Sequence, residues 1–438
     1  MTVELRRRTP LQLPRGWPLY ALFLLLPLWW ALGISAFIWP LMAVPMLFGL
    51  LIGQRDVRWP RGFGLWMLFL GWMLLSGTRV TDADRLTSFL YRGSLYATAT
   101  VVFLYVFNLP ASAVPSRTIV RVLSVCWLMV VAGGYLALVL PGVEFQSLVE
   151  RVLPGLANHS LAAVVHPRLA QVSRVLGYQV GRPTAPFAYP NAWGANFALL
   201  TPFVIMSWRL DRSKWWLLLT RGGMAASVVP LVMSLDRGAW LSLSLAVLYA
   251  AGRMALQGRA RPLMGILALI VAAGALFALP PIHKVIQDRL AHGHSDAGRA
   301  SLYSEATQRA LDSPILGYGA PVTSETQPLK GSGITRPDVG THGQLWLVLV
   351  SHGIPGMLLF VGWYVLLLVR TRRGQGDVPF WCHVVILLSF LQLPFYEQLP
   401  SQLQIVMVAG ALALREMQLL ASPAAAPGVS LQPVSVPG

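Results

Sequence analysis

Thr341-His342-Gly343-Gln344-Leu345-Trp346 opens an apolar run over 345–369, and the run ends on Arg370-Thr371-Arg372-Arg373. The run exceeds the roughly 20 residues that a helix needs to cross a bilayer. Arginine clusters mark the cytoplasmic ends of membrane spans. His342 is therefore expected at the outer surface, where this span meets water.

The rest of the chain reads the same way. Of its 438 residues, 55% are hydrophobic and 12% charged, with a mean hydropathy of +0.60. A soluble domain carries about a quarter charged residues, so this composition predicts a polytopic membrane protein. The net charge of +17 invites a nucleic-acid reading. That reading fails because the Lys and Arg sit in short loops between apolar spans, so no nucleic-acid partner is expected. Met1 to Arg8 is basic, but no small-residue cleavage site follows the first apolar run, so a retained first helix is expected. Cys126 and Cys382 both fall inside predicted spans, which argues against a disulfide framework.

Spans are expected near 17–33, 34–53, 62–77, 91–108, 119–140, 192–208, 215–235, 238–252, 263–279, 345–369, 378–393 and 402–420. The fold class is thus all-α, with about 12 transmembrane helices. Arg6-Arg7-Arg8, Arg55 with Arg58, Arg117 with Arg121, Arg209 to Lys214, Arg253 with Arg259 and Arg261, and Arg370 to Arg373 all fall on one side, the cytoplasm. Both termini are expected there. The chain then divides into a cytoplasmic segment 1–16, helices over 17–140, an outer loop 141–191, helices over 192–279, a large outer loop 280–342, helices over 343–420, and a disordered cytoplasmic tail 421–438.

The second outer loop is too long for a plain connector. Asp296 can cap a helix, Tyr303, Ala306, Thr307 and Ala310 recur at helical spacing, and Ser313-Pro314 stops the run. In the first, Leu148, Val149, Val152, Leu153 and Leu156 suggest an amphipathic segment on the membrane surface.

Three polar residues stand where apolar stretches meet the outer surface. Arg237 lies in Asp236-Arg237-Gly238-Ala239-Trp240, Arg299 in Gly298-Arg299-Ala300-Ser301-Leu302-Tyr303, and His342 opens the 345–369 span. An arginine in a span costs roughly 2.5–3.5 kcal/mol on insertion scales, so it tends to have a partner or a function. The plain alternatives are a snorkelling Arg237 or one paired with Asp236, a solvated Arg299, and an interfacial His342. Two permanent cations and a titratable ring at one surface suit an anionic, lipid-borne substrate.

Other groups compete. Asp82-Ala83-Asp84 could hold a divalent cation or simply cap a helix. His292, His294 and Asp296 could ligate a metal or be solvated. Arg151, Arg168, Arg174 and Arg182 put cations in the first outer loop, for an anionic ligand or for solubility. Tyr189, Trp193, Tyr303 and Trp346 could stack on sugars or belong to the interfacial aromatic belt.

The order of these motifs resembles the O-antigen ligase and polysaccharide polymerase superfamily. An Arg-Gly-x-Trp span start is followed by Gly-Arg-x-x-Leu-Tyr, then by Ser313-Pro314-Ile315-Leu316-Gly317-Tyr318-Gly319, then by the histidine. Tyr189-Pro190-Asn191-Ala192-Trp193-Gly194 resembles that family's entry to a central span. The resemblance covers about 189–362. One departure is Gly343, where the family often has Asn after the His.

The resemblance implies a GT-C-like membrane glycosyltransferase of polysaccharide biosynthesis in the cell envelope. Its donor would be a glycan on undecaprenyl pyrophosphate. Its acceptor would be a hydroxyl on a lipid, glycan, protein or wall polymer, at the outer face of the bacterial cytoplasmic (inner) membrane. Arg237 and Arg299 would hold the pyrophosphate and His342 would act on the acceptor hydroxyl. Tyr303, Trp346 and Asn191 would line the substrate. No cofactor and no metal is implied, and transfer would invert the anomeric centre. Ligase and polymerase share these residues. A transporter or flippase for a polyprenyl-linked sugar or small anion is the other reading, but it would place charges at mid-membrane and show repeats. No repeat is evident here.

Overall fold

The computed structural model describes residues 13–53, 56–155, 162–173, 178–258, 287, 296–325 and 337–421. In chain order the helices are α1 (Trp17–Leu24), α2 (Leu26–Ala31), α3 (Ile38–Gly53), α4 (Gly64–Ser76), α5 (Ala83–Asn108), α6 (Ser116–Val139), α7 (Leu148–Val152) and α8 (Ala162–Val165). A hairpin of β1 (Ala170–Ser173) and β2 (Val180–Pro183) follows. Then come α9 (Pro190–Leu210), α10 (Lys214–Ala226), α11 (Val228–Met233), α12 (Arg237–Leu256), α13 (Asp296–Asp312), α14 (Gln344–Thr371), α15 (Asp377–Gln392) and α16 (Ser401–Ala421).

Among the described residues, α5, α6, α10 with α11, α12, α14 and α16 form six helices long and apolar enough to cross a bilayer. The α3 and α15 helices are apolar but shorter. The chain is a mostly helical, multi-pass membrane protein. The expected span 263–279 lies outside the described residues.

Local chemistry explains where the helices differ from the apolar runs. The run 17–33 divides at Leu25, because Pro27 fits a first turn but cannot continue a helix. The α5 helix starts at Ala83, well ahead of its apolar stretch. Asp82 caps it by accepting from the Arg85 N–H at 2.8 Å. That is the cap reading of the Asp82-Ala83-Asp84 motif.

Helix α5 packs against α3 and α16, α9 against α6 and α15, and α14 against α4 and α15. Trp66, Phe69, Tyr96, Phe360 and Trp363 interlock where α4, α5 and α14 meet, mostly edge-on or tilted. Cys126 and Cys382 are free and buried.

Among the described residues, several of the arginine-bearing loops contact one another. Asp211, 2% exposed, receives Arg117 at 3.0 Å and Arg121 at 3.5 Å. Burial works to raise the Asp211 carboxyl. The Ser213 N–H and the two guanidiniums outweigh it and hold the carboxyl below its ordinary value. Arg370 donates to the Arg61 carbonyl and Arg253 to that of Arg372. Arg415, 2% exposed, donates to Ser116 Oγ at 2.7 Å and to the Leu109 carbonyl at 3.3 Å.

The opposite side carries the loop 141–191. Its α7 is closed by a capping box between Ser147 and Glu150, with Leu148, Val152 and Leu153 exposed. Leu156 lies outside the described residues. The antiparallel β1–β2 hairpin, which pairs Ala170 with Pro183, is an addition to the all-helical expectation. Arg182 Nε on β2 donates to the Ser234 carbonyl at 2.8 Å, and Val180 packs on Leu235. The hairpin thus braces the turn that starts α12.

Candidate functional site

That turn is tight. Leu235 is buried with φ of 53°, in the left-handed region that non-glycine residues seldom occupy. Asp236 follows, nearly buried, and caps α12 by accepting from the Ala239 N–H at 3.4 Å. Arg237 is the first residue of the helix and is exposed.

Asp236 Oδ1 also accepts the Tyr396 hydroxyl, which arrives on the loop joining α15 to α16. Gly238 leaves room for this contact, since a Cβ there would strike the same hydroxyl. The loop is laced to the start of α14. Gln344 N donates to the Tyr396 carbonyl at 2.8 Å and Leu345 N to that of Leu393 at 3.0 Å. Gln398 N donates to Gln344 Oε1 at 2.9 Å, and Gln344 Nε2 to the Tyr96 hydroxyl at 2.7 Å.

The Pro394 carbonyl is a hub on this loop. It accepts the Tyr303 hydroxyl and the Trp346 indole N–H, both at 3.2 Å. The two rings stack, with centroids 4.9 Å apart and planes 19° from parallel. A Cβ on Gly343 would run into the same carbonyl. The absence of a side chain after His342 therefore has a packing reason here.

These contacts border an open cavity of about 350 Å³. Its walls are Arg237, Gly238 and Leu241 of α12, Ala300 and Tyr303 of α13, and Phe395 and Tyr396 of the loop. Among the described side chains, Arg237 sets an exposed guanidinium amid apolar and aromatic surface. Such a cavity suits an anionic headgroup joined to an apolar chain.

Of the six expected site residues, all but Arg299 have described side chains. Arg237 and Tyr303 line the cavity. Arg299 lies in α13 beside the wall residue Ala300, and its side chain lies outside the description. Trp346 sits behind Tyr303 rather than on the wall. His342 is half-buried, on the turn that leads into the laced residues Gly343 and Gln344. Asn191 does not line the cavity. Its Oδ1 accepts from Arg182 at 3.4 Å, on the hairpin side of the Leu235 turn.

Leu241, Ala300, Phe395 and Tyr396 were not foreseen in the site. For the last two, the signal was Pro394-Phe395-Tyr396-Glu397-Gln398-Leu399-Pro400, a polar and aromatic stretch between two prolines in a short gap between spans.

Glu397, next along this loop, pairs with Arg92 of α5 at 3.4 Å. Burial raises its carboxyl above the ordinary value, against the pull of Arg92, although the side chain keeps 30% of its exposure. His292, His294 and Arg174 lie outside the described residues.

Residues 222–361 match the O-antigen ligase family. The matched stretch takes in Arg237, all of α13 with Arg299 and Tyr303, His342, Trp346 and the outer part of α14, and Asn191 lies before it. No curated protein matches the chain. With its membrane helices, the chain is thus a multi-pass membrane protein whose residues 222–361 form a domain that matches the O-antigen ligase family.

Proposed function

We propose that the protein transfers a glycan from undecaprenyl pyrophosphate to an acceptor hydroxyl at the outer face of the bacterial cytoplasmic membrane. The observation that carries this reading is the cavity itself. Arg237 and the helix bearing Arg299 and Tyr303 flank one apolar-walled space, although distant in sequence. The acceptor is a hydroxyl of a lipid, glycan, protein or wall polymer. A polymerase differs from a ligase only in that acceptor.

In this mechanism Arg237 and Arg299 hold the pyrophosphate. The arginine fork is planar, permanently charged and matched to phosphate oxygens. The acceptor oxygen attacks the anomeric carbon opposite the pyrophosphate. As that bond forms, the bond from the carbon to the phosphate oxygen breaks, and its electron pair leaves on the pyrophosphate. The acceptor proton goes to His342, since an imidazole ring nitrogen can take a proton from an attacking hydroxyl. Attack from the opposite face inverts the anomeric centre. Tyr303 offers a ring face to the substrate, with Trp346 stacked behind it as support.

The fold proposed for the whole chain is a GT-C-like bundle of twelve spans with both termini inside. Its boundaries are those drawn from the sequence, with the outer loops at 141–191 and 280–342. The transporter reading gains nothing from the break in α14. The carbonyls freed at its break are taken by protein N–H groups rather than turned to a pathway.

The test is to give the purified protein a polyprenyl-pyrophosphate disaccharide with bacterial envelope extract as the acceptor source, and to measure polyprenyl-pyrophosphate release. Release that depends on the acceptor and survives EDTA is expected, because the two arginines supply the charge that a divalent cation would otherwise supply. Loss on chelation, restored by magnesium or manganese, overturns the metal-free mechanism.

A further inference from the structure

The Ser313–Gly319 turn has no place in the chemistry above, yet its backbone bonds directly to that of α14. Helix α14 is broken at Gly353, where φ is 69° and ψ is −174°. Pro355, two residues on, has no N–H to give. A break at this depth would leave backbone groups unpaired in a low-dielectric setting, where each costs several kcal/mol.

The turn fills it. Tyr318 N donates to the Val350 carbonyl at 3.0 Å and Gly319 N to that of Ser351 at 2.7 Å. Ile354 N donates to the Pro314 carbonyl at 2.8 Å. On the other flank, the Trp72 indole donates to the His352 carbonyl at 2.9 Å, and Ser76 Oγ bonds His352 Nδ1 at 2.7 Å. Arg85 of α5 donates to the Tyr318 carbonyl. The turn holds its own shape through Ser313 Oγ, which donates to the Gly317 carbonyl at 2.8 Å.

The fit leaves no space for side chains. Gly317 has φ of 64°, and a Cβ there would come within 2.6 Å of both Gly353 N and the Val350 carbonyl oxygen. A Cβ on Gly353 would come within 2.7 Å of the Pro314 carbonyl oxygen. At both positions the backbone angle and the close approach require glycine.

We infer that Ser313–Gly319 and the Gly353 break form a backbone splice that fixes α13 against α14 and thereby positions Arg299 and Tyr303 across the cavity from Arg237. Gly317 and Gly353 are positioning residues. The turn follows directly from Asp312, the last residue of α13. Farther along, α13 is held by the Tyr303–Trp346 stack and by Ala306 packed with Val339 and Val350. The functional consequence rests on the proposal that Arg299 and Tyr303 act on the donor. The splice itself does not.

The experiment compares Gly317→Ala with Gly376→Ala. Gly376, at the start of α15, also has positive φ (90°), but a Cβ there would have no neighbour closer than 3.9 Å. Both variants therefore carry backbone strain, and only the first pushes on the splice. Three readouts are taken on full-length protein in detergent. They are binding of polyprenyl pyrophosphate, turnover with the disaccharide donor and envelope extract, and the distance distribution between spin labels at Gln308 on α13 and Val172 on the hairpin.

Gly317→Ala is expected to broaden that distribution and lower turnover by on the order of 100-fold, the cost of misplacing a reacting group by about 1 Å. Polyprenyl-pyrophosphate affinity should change much less, and Gly376→Ala should match wild type in all three readouts. Ser313→Ala, which deletes only the bond to the Gly317 carbonyl, should shift both measures in the same direction by less. It carries the test if Gly317→Ala does not accumulate. An unchanged distribution in either splice variant overturns the splice. A broadened distribution with wild-type turnover overturns its role in positioning. If wild-type protein transfers nothing, the proposed function fails, and the distance measurement still judges the splice.

Discussion

The two ends of the helical bundle use arginine differently. At one end, Arg117 and Arg121 close on one buried carboxylate, Arg370 and Arg253 bind carbonyls of neighbouring loops, and Arg415 is buried against Ser116 and the Leu109 carbonyl. These arginines fasten loops that the charge rule had placed on one side. At the other end, Arg85, Arg92 and Arg182 fasten loops in the same manner. Arg237 instead stands exposed on a cavity wall. The contrast separates arginines that fasten loops from one that faces a cavity.

The comparison breaks first at Arg237. Arg237→Ala should lower polyprenyl-pyrophosphate release by on the order of 10²–10³-fold and weaken donor binding as well, since a charge-assisted contact that strengthens in the transition state is lost. Arg237→Lys should recover only part of this, because an ammonium keeps the charge and loses the fork. Full recovery by lysine would mean that the site reads charge alone. Next is Tyr396→Phe, which deletes the hydroxyl held by Asp236 while keeping the ring on the wall. Loosening the start of α12 in this way should cost roughly tenfold in turnover, on the order of 1.4 kcal/mol. An unchanged rate would detach the loop from the positioning of Arg237.

The smallest effect on catalysis belongs to the end that carries Asp211. Asp211→Asn should leave turnover per folded molecule unchanged and lower stability by on the order of 1 kcal/mol, because both partner arginines stay solvated. The sign with pH follows from the depressed carboxyl. Its contribution is present above the ordinary aspartate range and is lost as pH falls through the lower folded value. Thermal unfolding followed down through that acid range should fall less steeply for Asp211→Asn than for wild type. Equal slopes would mean that the Asp211 cluster adds no pH-dependent stability.

Much of this layout was legible in the sequence, for physical reasons. Bilayer thickness sets the span length, and the arginine bias sets the side, so helices could be placed from composition alone. Ser313-Pro314 marked the end of α13, which stops at Asp312. Other features depend on partners far along the chain. The break in α14 was signalled only by Gly353 and Pro355 in an otherwise continuous apolar run, and it is stable because a turn some thirty residues earlier supplies the missing hydrogen bonds. The cavity wall formed by Phe395 and Tyr396 fell in a gap between spans, where hydropathy carries no signal. The short β1–β2 hairpin, too, is fixed by what it braces, the turn before α12, rather than by its own strand propensity.

The central claim is that one outer site joins a pyrophosphate held by arginines to a hydroxyl deprotonated by His342. The most direct measurement is donor binding and donor turnover in His342→Ala at matched expression, with polyprenyl-pyrophosphate release as the readout. The account predicts transfer abolished with donor affinity nearly intact, because the histidine acts on the acceptor and the arginines act on the donor. Near wild-type release in His342→Ala would contradict it.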